Sequence, residues 1–475
     1  MKTIFGAVDV GASSGRVLSG EFHDGKLSFT EVYRFENGPV EVAGSWYWDF
    51  DRIMSGISAG LRELGARAER LGLDVRSIGI DTWAVDYGLI ADGELLARPN
   101  CYRDPANEIG VQKVHEVVPF DELYQISGLQ FLPFNSLYQM RRQLETQSII
   151  FDKANNMLLM PDLIAFSLTG KLITERTNAS STGLLDAKTR EWNKDLAQKL
   201  SLPIEKFPPL TDAGQTIGKL ARNFGPRLAE TEVVAVGSHD TASAVVGVPS
   251  EDNEVFYLSS GTWSLLGTEL SEPLLSKESM EANFTNELGV DGRVRYLKNL
   301  SGLWLLSESQ RDWEERGEGV ALGELLQAAE SAAFSHFDVS DPSLVAPGDM
   351  PARIKALIEQ GGQKVPESKA GLVSSILHSL ARSYAENLKV LEALTGRDCK
   401  TLHVIGGGSQ NVLLNQLTAN YCKVEVVAGP AEATAIGNLM VQVRAAGLID
   451  DSLEAIRSSI IRSGLGLKTF SPDSN

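Results

Sequence analysis

The chain has 475 residues, 43% hydrophobic and 22% charged, which is long enough for two or three separate cores of ordinary composition. Its net charge of −18 argues against a nucleic-acid binder, which normally carries a basic face. An anionic nucleotide stays admissible, because local amides, Arg and Mg²⁺ override the global field. Cys101, Cys399 and Cys422 have no metal-ligand spacing and an odd count, so a reducing cytoplasmic setting is expected and a disulfide framework is not. No apolar run approaches the roughly 20 residues that span a bilayer. Asp9 breaks the apolar run at the N-terminus, which argues against a signal peptide.

Residues 4–9 and 16–22 read as strands around a turn of small residues, and residues 27–35 alternate apolar and polar as a half-buried strand does. A helix is expected from Asp49 to Gly72, with acids at its start and glycine at its end, followed by a buried strand at residues 77–81. This order of three strands, helix and strand begins again near residue 254. Strands at 255–259 and 263–268 flank a second turn, a helix covers 371–394, and a strand lies at 402–405. Helix 412–421, strand 424–427 and helix 431–446 complete the series, ended by Gly447. The polar stretch at 249–253 marks the boundary, giving domains at 1–248 and 254–450 and a tail at 451–475.

Three short segments carry nucleotide chemistry. Asp9-Val-Gly-Ala-Ser-Ser-Gly-Arg16 and Ser259-Ser-Gly-Thr-Trp-Ser264 are turns whose backbone N–H groups are open to phosphate oxygens. In the first, Asp9 is placed to hold Mg²⁺ through water, and Arg16 offers a forked cation to phosphate. The third, Gly406-Gly-Gly-Ser-Gln-Asn411, ends a strand and opens a helix, a setting for the base and ribose or for an anion. Asp240, in Ser238-His-Asp-Thr-Ala-Ser243, follows an apolar run at a strand-to-helix corner. Two roles stay open for it, a helix N-cap and a carboxylate that accepts a hydroxyl proton. Ile80-Asp-Thr-Trp-Ala-Val-Asp86 sets two acids and an indole at a strand end, where they suit sugar hydroxyls and a sugar's apolar face or are simply solvated. Lys298-Asn299 and Tyr102-Arg-Asp104 are weaker signals that also fit surface polar groups. Residues 211–220 fail the P-loop pattern at Ala213 and Leu220, and no dinucleotide glycine fingerprint or zinc-ligand cluster is found.

Together these segments, with Leu297-Lys-Asn-Leu-Ser-Gly-Leu-Trp-Leu-Leu306 and Pro430-Ala-Glu-Ala-Thr-Ala-Ile-Gly-Asn438, resemble the FGGY carbohydrate kinases over nearly the whole chain. The resemblance implies an α/β fold of two actin-like (ribonuclease H-like) ATPase domains with an active-site cleft between them. It implies Mg²⁺- and ATP-dependent phosphorylation of a small sugar by a cytoplasmic monomer or homodimer that binds neither nucleic acid nor membrane. By resemblance Asp240 is the general base. Ala12, Ser13, Ser14, Gly15, Arg16, Thr262 and Gly407 bind ATP; Ala84, His239, Asp240, Thr241 and Asn299 bind the sugar. The implied reaction takes L-rhamnulose to its 1-phosphate. Another ketose or polyol stays open because Ala84 stands where the family usually has Gly, and a non-catalytic actin-like sugar sensor is the further alternative. Ser307 stands where the family often has Gln, so no ATP contact is carried over to it.

Overall fold

The computed structural model describes residues 2–221, 224–252 and 254–473. Met1, Asn253 at the expected boundary, and Ser474 and Asn475 at the end of the expected tail lie outside the described residues. The chain forms two compact units, each assembled from separate stretches. Unit 1 takes Met1–Glu251, Glu269–Tyr296 and Ala433–Gly464; unit 2 takes Asp252–Thr268, Leu297–Glu432 and Leu465–Asn475.

Unit 1 opens with strands β1 (Thr3–Val10), β2 (Ser14–His23) and β3 (Lys26–Glu36), helix α1 (Phe50–Leu71) and strand β4 (Val75–Thr82). With β5 (Thr216–Lys219) and β6 (Glu232–Val234) they make a six-stranded sheet in the order β5–β6–β4–β1–β2–β3. The burial follows the sequence pattern. β1 is almost wholly buried, as a central strand covered on both faces must be, whereas edge strand β3 alternates. Helix α1 begins where the Asp49 carboxylate accepts the Arg52 N–H and ends at Gly72 with φ +66°, so the acid and the glycine mark its ends as expected. Its face of Ile53, Ile57, Leu61, Leu64 and Ala68 is buried in the core. After β6 the chain turns a corner into the short helix α2 (Asp240–Val246).

Unit 2 repeats the opening order. β7 (Phe256–Ser260) and β8 (Trp263–Leu270) form an antiparallel hairpin. The chain then returns to unit 1 for β9 (Thr285–Leu288) and the start of β10 (Val294–Ser301), whose end, from Leu297, is in unit 2 with the long helix α3 (Lys369–Thr395) and strand β11 (Thr401–Ile405), which runs parallel to β7. Helix α4 (Val412–Cys422) leads to β12 (Glu425–Ala428), parallel to β11. Helix α5 (Ala433–Ala445) belongs to unit 1 again, and β13 (Lys468–Phe470) closes the edge of unit 2 beside β12. The expected elements are present with ends displaced by one or two residues. No helix among the described residues is long and apolar enough to cross a membrane.

Helix α5 bears directly on the corner. A Cβ on Gly437 would collide with the Ser243 carbonyl, and one on Gly247 with the Ala433 carbonyl, so these glycines let α2 and α5 touch backbone to backbone. The family-like segment ending at Asn438 is thereby given a packing role beneath the corner.

Candidate active site

The first turn is built by β1 and β2. Gly11 N–H donates to Ser14 O at 2.9 Å, and Asn37 braces the loop, its side-chain amide donating to Gly11 O at 2.8 Å. Ala12, Ser13 and Ser14 form the tip, with Ser13 exposed. Gly15 is needed for packing, since a Cβ there would run into the Phe35 ring. Arg16 Nε and Nη2 both donate to Asp9 Oδ2, at 2.9 and 2.8 Å. The expected phosphate cation and the expected metal carboxylate are thus paired across one hairpin.

The corner after β6 brings together residues expected for the sugar. Thr82 N–H, at the end of β4, donates to Ser238 O at 2.9 Å, and Thr82 bridges His239 in parallel register. The stretch Trp83 to Asp86 therefore starts beside the Ser238–Thr241 corner, with Ala84 half-buried next to Val85, whose φ is +71°. Ser136 Oγ–H donates to Val85 O at 2.6 Å and holds that β-branched residue in the left-handed region. Asp240 is not an N-cap, which corrects one of its two expected roles. His239 occupies the cap position, and Asp240 is the first helical residue. Its Oδ1 accepts from Thr241 N–H at 2.6 Å and Thr241 Oγ at 3.2 Å. Its side chain keeps 35% exposure, which decides its availability to a ligand. Burial, with Asp9 nearby, raises its pKa above the ordinary carboxylate value, against the lowering effects of His239 and Thr241.

Asp86 proves to be neither solvated nor open to a sugar. Its Oδ2 accepts from Trp48 Nε1 at 2.5 Å, Trp83 Nε1 at 2.9 Å and Tyr102 N–H at 3.2 Å, and its Oδ1 accepts from Gln139 at 2.9 Å. Burial nevertheless pushes its pKa up to about 6. Asp104 is likewise buried, paired with Arg142 at 2.9 Å, so it is no surface group. Asp81 is fully buried and takes an N–H from Asn438 at 2.6 Å. Burial and the neighbouring Asp9 raise its pKa well above the ordinary value.

Sequence reasoning missed three side chains that build the corner. Glu175 is buried. Its carboxylate accepts from Ser238 N–H at 3.2 Å, Ser238 Oγ at 2.6 Å, Thr177 N–H at 3.0 Å and Asn178 N–H at 3.1 Å. Glu287 on β9 and Arg295 on β10 lie against the His239 ring and are both buried. Their separation from His239 in the chain leaves no local pattern to find them by.

In unit 2 the second and third turns meet. Gly261 N–H donates to Trp263 O at 2.9 Å, and the turn is backed by Leu303 N–H to Gly261 O at 2.9 Å and Trp304 N–H to Thr262 O at 3.1 Å. A Cβ on Gly302 would lie 2.6 Å from Trp263 C, so the backing segment needs glycine. Thr262 is exposed at the tip. Gly406, with φ +82°, and Gly408 press on Ser260 at the end of β7, while nothing lies within 4 Å of a Cβ at Gly407. Asn299 lies half-buried on β10 within unit 2, near the backing segment in sequence.

Among the described residues no group of three or more His, Cys, Asp or Glu is arranged to hold a metal ion. A single hard carboxylate, Asp9, beside a turn suited to phosphate fits an ion that keeps most of its ligands as water and phosphate oxygen.

Two family models match the chain. The FGGY family of carbohydrate kinases, N-terminal domain, matches residues 4–247, and the C-terminal domain of the same family matches residues 256–446. A rhamnulokinase of Bacteroides thetaiotaomicron is 40% identical over 99% of this chain and 96% of its own. A rhamnulokinase of Bacillus subtilis is 37% identical over 99% and 95%. Among solved structures, gluconate kinase from Lactobacillus acidophilus superposes with a TM-score of 0.78 at 16% identity, over 100% of this chain and 94% of that one. Plasmodium falciparum glycerol kinase with ADP gives 0.78 at 15%, with the same coverage. These structural likenesses speak for the fold.

Proposed function

Because the chain belongs to the FGGY family of carbohydrate kinases, we propose that this ATP-dependent sugar kinase phosphorylates L-rhamnulose at its 1-hydroxyl. The observation that carries the sugar is the full-length similarity, at 37–40% identity, to rhamnulokinases of several bacteria. The corner geometry supports the chemistry, since it offers a partly exposed carboxylate at the end of a parallel strand.

In this reading Asp240 accepts the proton of the 1-hydroxyl as that oxygen attacks the γ-phosphorus and the bond to ADP breaks. His239, Thr241, Ala84 and Asn299 line the sugar. The amides and hydroxyls of Ala12 to Gly15, with Arg16, receive phosphate oxygens, joined by Thr262, and Gly407 flanks the adenosine. Phosphoryl transfer asks for positioning and charge neutralisation more than covalent chemistry, and two amide-rich turns supply both. Mg²⁺ bound with the nucleotide, and held on this chain by Asp9, would neutralise phosphate charge. Arg16 then exchanges part of its hold on Asp9 for phosphate. Sugar and phosphate binding fall to residues 1–248, and most of the nucleotide to 254–450, in the reducing cytoplasm.

A second reading has one observation behind it. Ala84 adds a methyl where the family usually has none, in a half-buried position beside the corner. The test for both is ADP release measured over L-rhamnulose, L-fuculose, D- and L-xylulose, L-ribulose and glycerol. The highest kcat/KM is expected for L-rhamnulose. A higher value for L-fuculose or D-xylulose overturns the substrate and keeps the kinase.

A further inference from the structure

At the corner the His239 ring lies against the buried pair of Glu287 and Arg295. Arg295 is fully buried on β10, its Nε donating to Leu288 O at 3.0 Å. Its Nη2 carries two hydrogens, and two acceptors lie at 3.0 Å, Glu287 Oε2 and His239 Nδ1. Glu287 Oε2 itself lies 3.3 Å from His239 Nδ1. A guanidinium in a protein does not give up its proton, so it meets an imidazole nitrogen that has a lone pair, not one that carries hydrogen. The proton of the ring then sits on the other nitrogen. That nitrogen, Nε2, lies 3.4 Å from Asp240 Oδ1.

The two oxygens of Asp240 are thereby made unequal. Oδ1 faces His239 Nε2 and accepts both bonds from Thr241. Among the described residues no donor reaches Oδ2. The bonds of the His239 backbone, its N–H to Thr177 Oγ1 at 3.4 Å and its O from Ala242 N–H at 2.7 Å and Ser243 N–H at 3.2 Å, do not involve the ring.

We propose that the buried Glu287–Arg295 pair is a positioning element of the reaction, fixing the His239 tautomer protonated on Nε2 so that this N–H occupies Asp240 Oδ1 and Oδ2 alone takes the sugar proton. It rests on the reading of Asp240 as the base. The hydroxyl O–H bond breaks and its proton passes to Oδ2, while the O–P bond forms and the bond to ADP breaks. Glu287 holds Arg295 in place; against burial, which raises it, the Arg295 charge and then the His239 ring hold the Glu287 pKa down at about 2, so its carboxylate is ionised at neutral pH. Arg295 acts on the ring, and the ring acts on the base. Neither Glu287 nor Arg295 need touch the sugar.

The wild-type enzyme gives the first test. With ¹⁵N-labelled histidine and His239→Gln to identify the signal, long-range ¹H–¹⁵N correlation at neutral pH should show His239 protonated on Nε2 with an acceptor-type Nδ1. A ring protonated on Nδ1, or on both nitrogens, overturns the proposal. Glu287→Gln and Arg295→Lys should lower kcat by about 10–100-fold, the range of a lost orienting partner of a histidine, with the KM for ATP within twofold. Both should displace the acid limb of the kcat/KM profile, which a purely structural role would not move. His239→Gln keeps an N–H where Nε2 stood, and should retain at least tenfold more kcat than His239→Asn. Folded Glu287→Gln and Arg295→Lys enzymes with wild-type kcat and pH profile overturn the proposal while leaving Asp240 as the base. Normal turnover by Asp240→Asn overturns the base itself. If neither ion-pair variant folds, the tautomer in the wild type decides.

Discussion

Two strand ends lie side by side in unit 1, and their acids have opposite fates. The loop after β4 ends in Asp86, which is walled in by two indoles, an amide side chain and a backbone N–H. The corner after β6 carries Asp240, with donors on one oxygen and 35% of its side chain exposed. A buried carboxylate with donors on both oxygens holds structure together. One with an oxygen left over has chemistry to do. The same residue type, a few residues past a parallel strand, is committed to one role or the other by its neighbours alone.

The largest effect should come from the open acid. Asp240→Asn keeps the size and the Thr241 contact but removes the base, so kcat should fall roughly 10²–10⁴-fold with ATP affinity spared. Steady-state kinetics beside a melting curve check this. Near-normal turnover in a folded protein would erase the contrast with Asp86 and move attention to Asp81.

The walled-in acid should show itself in stability. Burial raises its folded pKa to about 6, above the ordinary carboxylate value of about 3.8. The folded form therefore favours the proton, and the contribution is present below pH 4 and lost as pH rises through 6. At about 1.4 kcal/mol per unit, the loss is about 3 kcal/mol. Urea unfolding of the wild type and Asp86→Asn between pH 4 and 7 should show the wild type losing that much relative to the variant. Parallel curves would mean that the four donors offset the burial completely. At fixed pH the folded Asp86→Asn enzyme should keep its kcat within about tenfold, far from the Asp240 result.

The smallest effect should come from the Ala84 methyl. Ala84→Gly should change the sugar KM by no more than the few-fold to 200-fold that about 1–3 kcal/mol allows. The ATP KM should stay put, as two-substrate kinetics would show. Equal changes for both substrates would remove Ala84 from the sugar wall.

What was legible in the sequence had local causes. The small-residue turns, the alternation of β3 and the Asp49 and Gly72 ends of α1 each lie within a few consecutive residues, so their physics is written contiguously. Asp240 was legible as a corner residue for the same reason. The fate of Asp86 was not, because its partners come from positions 48, 83, 102 and 139. Glu175 meets Ser238 across 63 positions, and Asn438 meets Asp81 across 357. Such pairings follow from sheet order and helix packing, and no spacing rule announces them. Arg16 was legible as a cation but not as the partner of Asp9, since a cross-strand pair depends on register.

The pairing of α5 with the corner has a consequence for the birth of the protein. Gln442 donates to Gly6 O at 2.9 Å, Asn438 reaches Asp81, and Gly437 seats α5 on α2. On the ribosome, β1 emerges more than 420 positions before the helix that covers it. For most of synthesis the unit that carries Asp240 lacks one of its own walls. Unit 2, drawn largely from residues 297–432, is nearly complete before that wall appears. The nascent chain should therefore stay sensitive to protease in its first half until α5 is released, and gain resistance in one late step.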